Sequence, residues 1–389
     1  MYNFVKLKTI ASISTGFPFK GEKYSNEGIR VVRGENVTEG LLRWDSIKCW
    51  NEDFDQIDKY SLKEGDVVIG MDGSKVGKNR ARVKSNDLPL LLAQRVALIR
   101  KNELSNQNFL YYLIRASRFV EYVERIQTGS SVPHISQKQI EEYPVPLISV
   151  DVQKKISEVL SSLDTKIEIN KSIKTELDAM AKTLYDYWFV QFDFPDKNGK
   201  PYKSSGGKMV WSEKLKREIP EGWEVTKLKE VLTIRNGRDH KNLESGIIPV
   251  YGSGGIMRHA NKFLYDSESI LIPRKGTLSN LFYVNQPFWC VDTIFYTQMR
   301  FAQSCKYLFY SIRAFNISSM NTGTAVPSMT TEVLNNLKIA FPPFEILNSF
   351  DIILSPIFQM KDKLAKRRSR TYRTSGLAIA NVDEWSDQS

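Results

Sequence analysis

The stretch from Asp151 to Phe194 contains neither glycine nor proline. A run of that length constrains the chain strongly, because nothing in it breaks a helix. Its apolar or small residues fall at Ile156, Leu160, Leu163, Ile167, Leu177, Ala181, Leu184 and Trp188. The steps alternate four and three, and Asn170 and Lys174 occupy the two slots that would close the gap. That is a heptad seam with polar interruptions, which set register at a cost in stability. Asp151 stands where an N-cap is needed. A helix from there to Phe189 would run about 57 Å at roughly 1.5 Å per residue. A rod of that length reads as a spacer, although an ordinary long bundle helix would show the same spacing.

The segments on either side of the rod repeat each other. KLKTIASISTG (6–16) aligns with KLKEVLTIRNG (227–237), and IRVVRGEN (29–36) with IIPVYGSG (247–254). GDVVIGMDGS (65–74) aligns with ESILIPRKGT (268–277), and YYLIRA (111–116) with FYSIRA (309–314). TGSSVPHIS (128–136) meets TGTAVPSMT (322–330), and VPL (145–147) meets IAF (339–341). Six blocks in one order are hard to obtain by chance. The repeat predicts a second helix after Pro343, where Leu347, Phe350, Leu354, Ile357 and Leu364 keep the spacing, interrupted at Lys361. Pro356 must open that helix or kink it. The expected fold class is α+β: two strand-rich domains, separated and followed by long coiled-coil helices in a pseudo-two-fold repeat. Boundaries fall at 1–150, 151–189, 190–219, 220–343, 344–366 and 367–389. The 190–219 segment, rich in Pro, Gly, Ser and Lys, reads as a linker that would not pack by itself.

Three distant cysteines (Cys49, Cys290, Cys305) provide neither a disulfide framework nor zinc spacing, which fits a reducing compartment. The opening MYNFVKLKTI lacks an apolar signal core, and no run approaches a membrane span. A soluble, cytoplasmic protein with no membrane partner is expected. The formal charge of +11 favours a polyanionic partner, most often nucleic acid.

Catalytic signatures are missing from the sequence. His134, His240 and His259 have no Ser/His/Asp context, and neither H-E-x-x-H nor C-x-x-C occurs. GSKVGKN (73–79) misses a phosphate loop, since Asp72 replaces its first glycine and Asn79 its Ser or Thr. Glu-x-Lys and the Asn/Asp-Pro-Pro-Tyr of amino-methyltransferases are absent as well. No metal site and no catalytic residue are predicted, and the chain reads as a binding module.

Candidate DNA-binding residues lie in loops that put basic and amide groups beside glycine and aromatics. In the first copy they are Thr15, Gly16, Lys20, Arg33, Asn36, Ser74, Lys75, Lys78, Arg80, Gln94 and Arg95. In the second they are Arg235, Asn236, Arg238, Tyr251, Ser253, Arg274, Lys275, Thr322 and Thr324. Glycine lets backbone N–H groups approach phosphate, Lys and Arg neutralise it, and Arg, Asn and Gln read base edges. Each loop taken singly reads first as an ordinary solvated turn; recurrence at matching places in both copies favours function. A nuclease or methyltransferase with an unrecognised site, or a scaffold that binds only protein, are the competing readings.

Six stretches carry a family resemblance: TGSSVPHIS with YPVPLISVDVQKKI, then LDTKIEINKSI, LYDYWFVQFDFP, IPEGWEV and PVYGSGG. In this combination the chain resembles the specificity subunit of type I restriction–modification enzymes. The resemblance implies two target-recognition domains, each reading half of a split double-stranded DNA site. It implies that the helices set the gap and dock two methyltransferase subunits, with restriction/translocase subunits completing an endonuclease and adenine-methyltransferase complex. ATP, Mg²⁺ and S-adenosylmethionine would then be cofactors of that complex, with none in this chain. The resemblance stops near Leu364-Ala365. Codons can be chosen for 370–387 so that a shifted frame encodes the family-like ELTELRDWLLPMLMNGQ. The expectation is a frame shift near Lys366, a tail of unrelated sequence and a shortened second helix.

Overall fold

The run without glycine or proline forms a helix from Val150 to Tyr185, extended by one π-helical turn, Asp186–Val190. This computed structural model describes residues 3–52, 57–128, 132–275, 278–315 and 328–384. Asp151 lies within the first helical turn, not at the cap. The Gln153 N–H already donates to the Ser149 carbonyl, 3.0 Å away, and the Asp151 carboxylate still favours the positive end of the helix dipole. Leu160, Ile167, Ala181 and Trp188 are buried, as the heptad spacing requires. The π turn adds a residue, so Trp188 and Phe189 both reach the core; one turn earlier Tyr185 is buried and Leu184 only packs at the edge.

Two compact units divide the chain: Met1–Lys171 with Lys366–Ser389, and Ser172–Ala365. In the first unit, strands Ala11–Thr15, Val96–Lys101, Val67–Gly70, Arg80–Arg82 and Glu39–Gly40 form a sheet in that order. Alternation along each strand explains why this sheet sits in the middle. Val67, Ile69, Ala97 and Ile99 face a core shared with helices Gln107–Arg115 and Ser117–Ile126. Val68, Val96 and Leu98 face the opposite core. A second sheet orders Cys49–Trp50, Ile29–Val32 and Leu90–Leu92. Strand Phe4–Lys6 pairs with Pro144–Pro146, just ahead of the long helix.

The second unit repeats this plan. Leu232–Asn236, Ile294–Met299, Ser269–Pro273 and Phe282–Val284 form a sheet whose order and antiparallel pairing match the first four strands above. Glu224–Lys227 pairs with Lys338–Phe341 as Phe4–Lys6 does with Pro144–Pro146. Helix Cys305–Ala314 corresponds to Gln107–Arg115, and a second long helix follows at Phe344–Glu384. The fold is therefore α+β and internally duplicated.

Two expectations need correction. Residues 190–219 pack rather than dangle. Phe192 and Phe194 are buried, Phe194 stacks on Tyr202 and Trp223 (4.7 and 5.4 Å between ring centroids), and Met209–Ser212 forms a hairpin with Arg217–Pro220. The Asp193 carboxylate accepts hydrogen bonds from the N–H (2.7 Å) and hydroxyl (2.6 Å) of Ser204. Composition hid this because a few aromatics outweigh many polar residues in buried area. The second long helix also continues past residue 366 to Glu384, and Pro356 lies inside it. Lys361, the break in its seam, forms an ion pair with Asp178 of the first long helix and lies 4.4 Å from the Phe358 ring centroid.

Candidate nucleic-acid interface

A cleft of about 600 Å³ opens in the first unit where several loops converge. Among them are the segment after Ala11–Thr15, the Gly34–Asn36 turn, the turn after Val67–Gly70, and the connection from Leu90–Leu92 to Val96–Lys101. Phe17, Phe19 and Tyr24 supply an aromatic wall; Arg33, Ser74, Lys75, Asn79, Gln94 and Arg95 supply donors; Glu35 and Asp72 supply carboxylates. Five of the predicted residues thus come together: Arg33, Ser74, Lys75, Gln94 and Arg95.

Their freedom differs. Arg33 is pinned by Glu35 at 2.5 Å and donates to the Ser46 carbonyl at 3.0 Å. Lys75 is exposed but pairs with Glu39 at 3.0 Å, and that hydrogen bond holds the Glu39 carboxyl below its ordinary value. Arg95 donates from Nη1 to Asp72 Oδ2 at 2.6 Å, and His134 Nδ1 is hydrogen-bonded to the other carboxylate oxygen. Burial pushes the Asp72 carboxyl upward, but the hydrogen bonds from Arg95 and His134 outweigh it and leave it lowered.

The other predicted residues of this copy have different surroundings. Asn36 is buried: its Oδ1 accepts from the Arg33 N–H and its Nδ2 donates to the Arg43 carbonyl, both at 3.0 Å. Arg80 turns inward to the carbonyls of Gly77 (2.5 Å) and Arg115 (2.8 Å). Burial and the neighbouring Arg115 charge hold its guanidinium below the usual range. Thr15 ends a strand opposite Ala97, and Lys20 is exposed. Lys78 pairs with Glu124 at 3.6 Å. Gly16 is required by packing, since a Cβ there would lie 2.1 Å from the Leu92 carbonyl oxygen.

In the second unit a cleft of about 370 Å³ gathers Asn236, Arg274, Lys275, Phe295 and residues 328–331. Arg274 lies 5.9 Å from the Phe295 ring centroid. Arg235 donates to Gln298 at 3.2 Å, and exposed Arg238 presents its carbonyl to Trp289 Nε1 at 2.9 Å. Tyr251 packs against Phe282 and Phe288 (5.9 and 6.3 Å), where burial raises its hydroxyl pKa. Asn280 Nδ2 donates to the Ser253 carbonyl at 3.1 Å. Tyr251 and Ser253 do not line the cleft. Thr322 and Thr324 lie outside the described residues.

The two clefts share one backbone frame. Met71 N–H donates to the Arg95 carbonyl (3.1 Å), and Arg274 N–H to the Thr293 carbonyl (2.8 Å). Ile135 N–H donates to the Met71 carbonyl (3.0 Å), and Met329 N–H to the Arg274 carbonyl (2.9 Å). Asp72 bridges His134 as Lys275 bridges Ser328. Even the glycine crossing recurs: a Cβ on Gly237 would lie 2.1 Å from the Val291 carbonyl oxygen. The frame is conserved between the copies while its side chains change from Asp72, Arg95 and His134 to Lys275, Thr293 and Ser328. Asp72 lines the cleft and His134, which does not, is hydrogen-bonded to it; neither is among the sequence candidates, although the repeat sets them opposite Lys275 and Ser328.

Fold and clefts together define a duplicated α+β module, with a cleft in each copy and a long helix following it. The sequence model of the type I restriction modification DNA specificity domain matches residues 1–179 and 220–370, and the chain belongs to that family. It is 26% identical over 277 residues to the type I restriction enzyme MjaIX specificity subunit of Methanocaldococcus jannaschii, covering 64% of this chain and 62% of that protein. It is 30% identical over 178 residues to the EcoAI specificity subunit of Escherichia coli, covering 44% of this chain and 29% of that protein. The match thus spans less than two thirds of each of these relatives. In fold the chain is similar to the crystal structure of a type I restriction–modification S subunit from M. genitalium, with a TM-score of 0.64 at 17% identity, covering 98% of this chain and 96% of that one. Among the described residues no helix is long and apolar enough to cross a membrane, and no group of three or more His, Cys, Asp or Glu side chains could hold a metal ion.

Proposed function

We propose that this chain is the non-catalytic specificity subunit of a type I restriction–modification complex. Each strand-rich block, 1–150 and 220–343, reads one half of a split duplex site through its cleft. The long helices set the gap between the halves and dock two methyltransferase subunits. Exposed apolar side chains along the first helix (Val152, Val159, Ile169, Ile173, Met180) support a helical partner surface. Restriction/translocase subunits, and the ATP, Mg²⁺ and S-adenosylmethionine they and the methyltransferases use, belong to the rest of the complex.

One observation carries the reading: a single backbone frame, used twice, with different side chains at its cleft. Duplication preserves the frame because folding needs it, whereas the exposed residues are free to specify a different half-site. The test is to express the chain with methyltransferase subunits in a host lacking such systems and to map methylated adenines. A two-part site with a constant gap is expected. Methylation at a continuous site, or DNA affinity that does not fall with salt, would overturn the reading.

A further inference from the structure

We propose that Arg95 reads a guanine edge in the half-site of the first block, with Asp72 as its positioning residue and His134 holding Asp72. The inference rests on the DNA-reading function above and assigns a role within it.

Arg95 sits on the tight connection between two strands whose residues are all buried except at the far end, so it projects outward. Its backbone is fixed by the hydrogen bond from Met71 N–H, and the preceding Gln94 N–H donates to the Phe17 carbonyl at 3.0 Å. The side chain is 67% exposed, whereas Asp72, which grips one end of it, is 20% exposed. Among the described residues Asp72 is the hydrogen-bond partner of the Arg95 guanidinium. One end of the guanidinium is therefore clamped at the cleft floor and the remaining N–H donors face out. A guanidinium fork held this way loses little side-chain freedom on binding and matches the O6 and N7 acceptors of guanine.

The carboxylate also decides between base and phosphate. Asp72 cancels the charge that a phosphate contact uses and repels the phosphate itself, while leaving the fork's hydrogen-bond geometry intact. The other cations of this cleft lack that combination of exposure and orientation: Arg33 is pinned to Glu35 and the Ser46 carbonyl, and Lys75 is a point charge beside Glu39. In the second copy Thr293, Lys275 and Ser328 take the matching positions, so this readout is confined to one half-site.

The test uses the full chain with its methyltransferase subunits. Methylated sites are mapped for the unaltered chain, Arg95→Gln, Asp72→Asn and Thr293→Ala, and binding is then measured on the mapped duplex carrying 7-deazaguanine at single positions. Arg95→Gln is expected to relax or change one position in one half, leaving the other half and the gap unchanged. Asp72→Asn is expected to relax the same position more weakly, and Thr293→Ala to leave it alone. Removing the guanine N7 at that position is expected to weaken the unaltered chain roughly tenfold and Arg95→Gln hardly at all. An unchanged two-part site in Arg95→Gln, or an equal loss on all sequences, would overturn the assignment while leaving the DNA-reading function standing. Failure of the unaltered chain to direct a two-part pattern would remove both.

Discussion

The Lys306 ammonium lies 2.6 Å from Asp351 Oδ1 and fastens helix Cys305–Ala314 to the second long helix. Glu268 flanks it at 3.2 Å, and the Lys306 side chain is only 4% exposed. The first unit makes the matching attachment with other residues: Arg115 Nη1 lies 2.6 Å from Asp164 Oδ2, and the Tyr112 hydroxyl donates to the same oxygen at 2.9 Å. Each strand-rich block is thus bolted to a long helix through a mostly buried ion pair. Removing Asp351 leaves the Lys306 ammonium with Glu268 alone. Asp351→Ala is expected to lower the stability of the second unit by about 1.5–3 kcal/mol in urea denaturation, the worth of one charged hydrogen bond. Glu213→Ala, which breaks an exposed pair with Lys216, is expected to cost under about 1 kcal/mol.

The Tyr112 hydroxyl gives the first attachment an alkaline limit. Burial, reinforced by the charge of Asp164, raises it to about 12 from an ordinary value of 10.0. An unfolded chain therefore loses this proton before the folded one does. The contribution is fully present below about pH 10 and disappears as pH rises through about 12. Stability measured across that window should fall less steeply in Tyr112→Phe than in the unaltered chain; parallel slopes would refute the assignment.

Gly16 and Gly237 serve packing, so their substitution is a stability test. Gly16→Ala would drive a Cβ to 2.1 Å from the Leu92 carbonyl oxygen, a backbone atom that cannot step aside cheaply. A loss of about 1–3 kcal/mol is expected from overpacking, visible as a lower thermal midpoint. Gly21→Ala has open space around the new methyl and should be neutral or slightly stabilising.

The proposed ruler makes a numerical prediction. Seven residues inserted into the first long helix between Ile167 and Leu177, in heptad phase, add about 10 Å. That corresponds to about 3 base pairs at roughly 3.4 Å each. Methylation mapping should show a gap longer by that amount, with both half-sites intact. An unchanged gap would mean that the helix does not measure distance.

Salt dependence separates the roles of the basic residues. Lys78 is exposed and only loosely paired with Glu124, so it is placed for a phosphate contact. Lys78→Ala should weaken binding to all sequences about equally and reduce the slope of log affinity against log salt by roughly one. A sequence-selective loss would assign it to base reading.

Residue order alone sets the long helix, the duplication and the loops that carry the cations, because these rest on local periodicity and on succession along the chain. It also put Gly16 and Gly237 at matching places, but not their reason, which is a strand crossing made by residues far along the chain. Which candidates face a cleft depends on how the chain packs in three dimensions. Asn36 and Arg80 are as polar as Gln94 and Arg95, yet the first pair is consumed by backbone groups, some of the same turn and some further along the chain, and the second projects outward. The same holds for residues 190–219, whose aromatics find Trp223 only once the chain has turned back on itself. Asp72, His134 and Arg95 are separated by tens of residues, and a hydrogen-bonded frame between three loops is what makes them neighbours. Periodicity is a property of adjacent residues and can be read from them; hydrogen-bond partners across loops are a property of the folded chain.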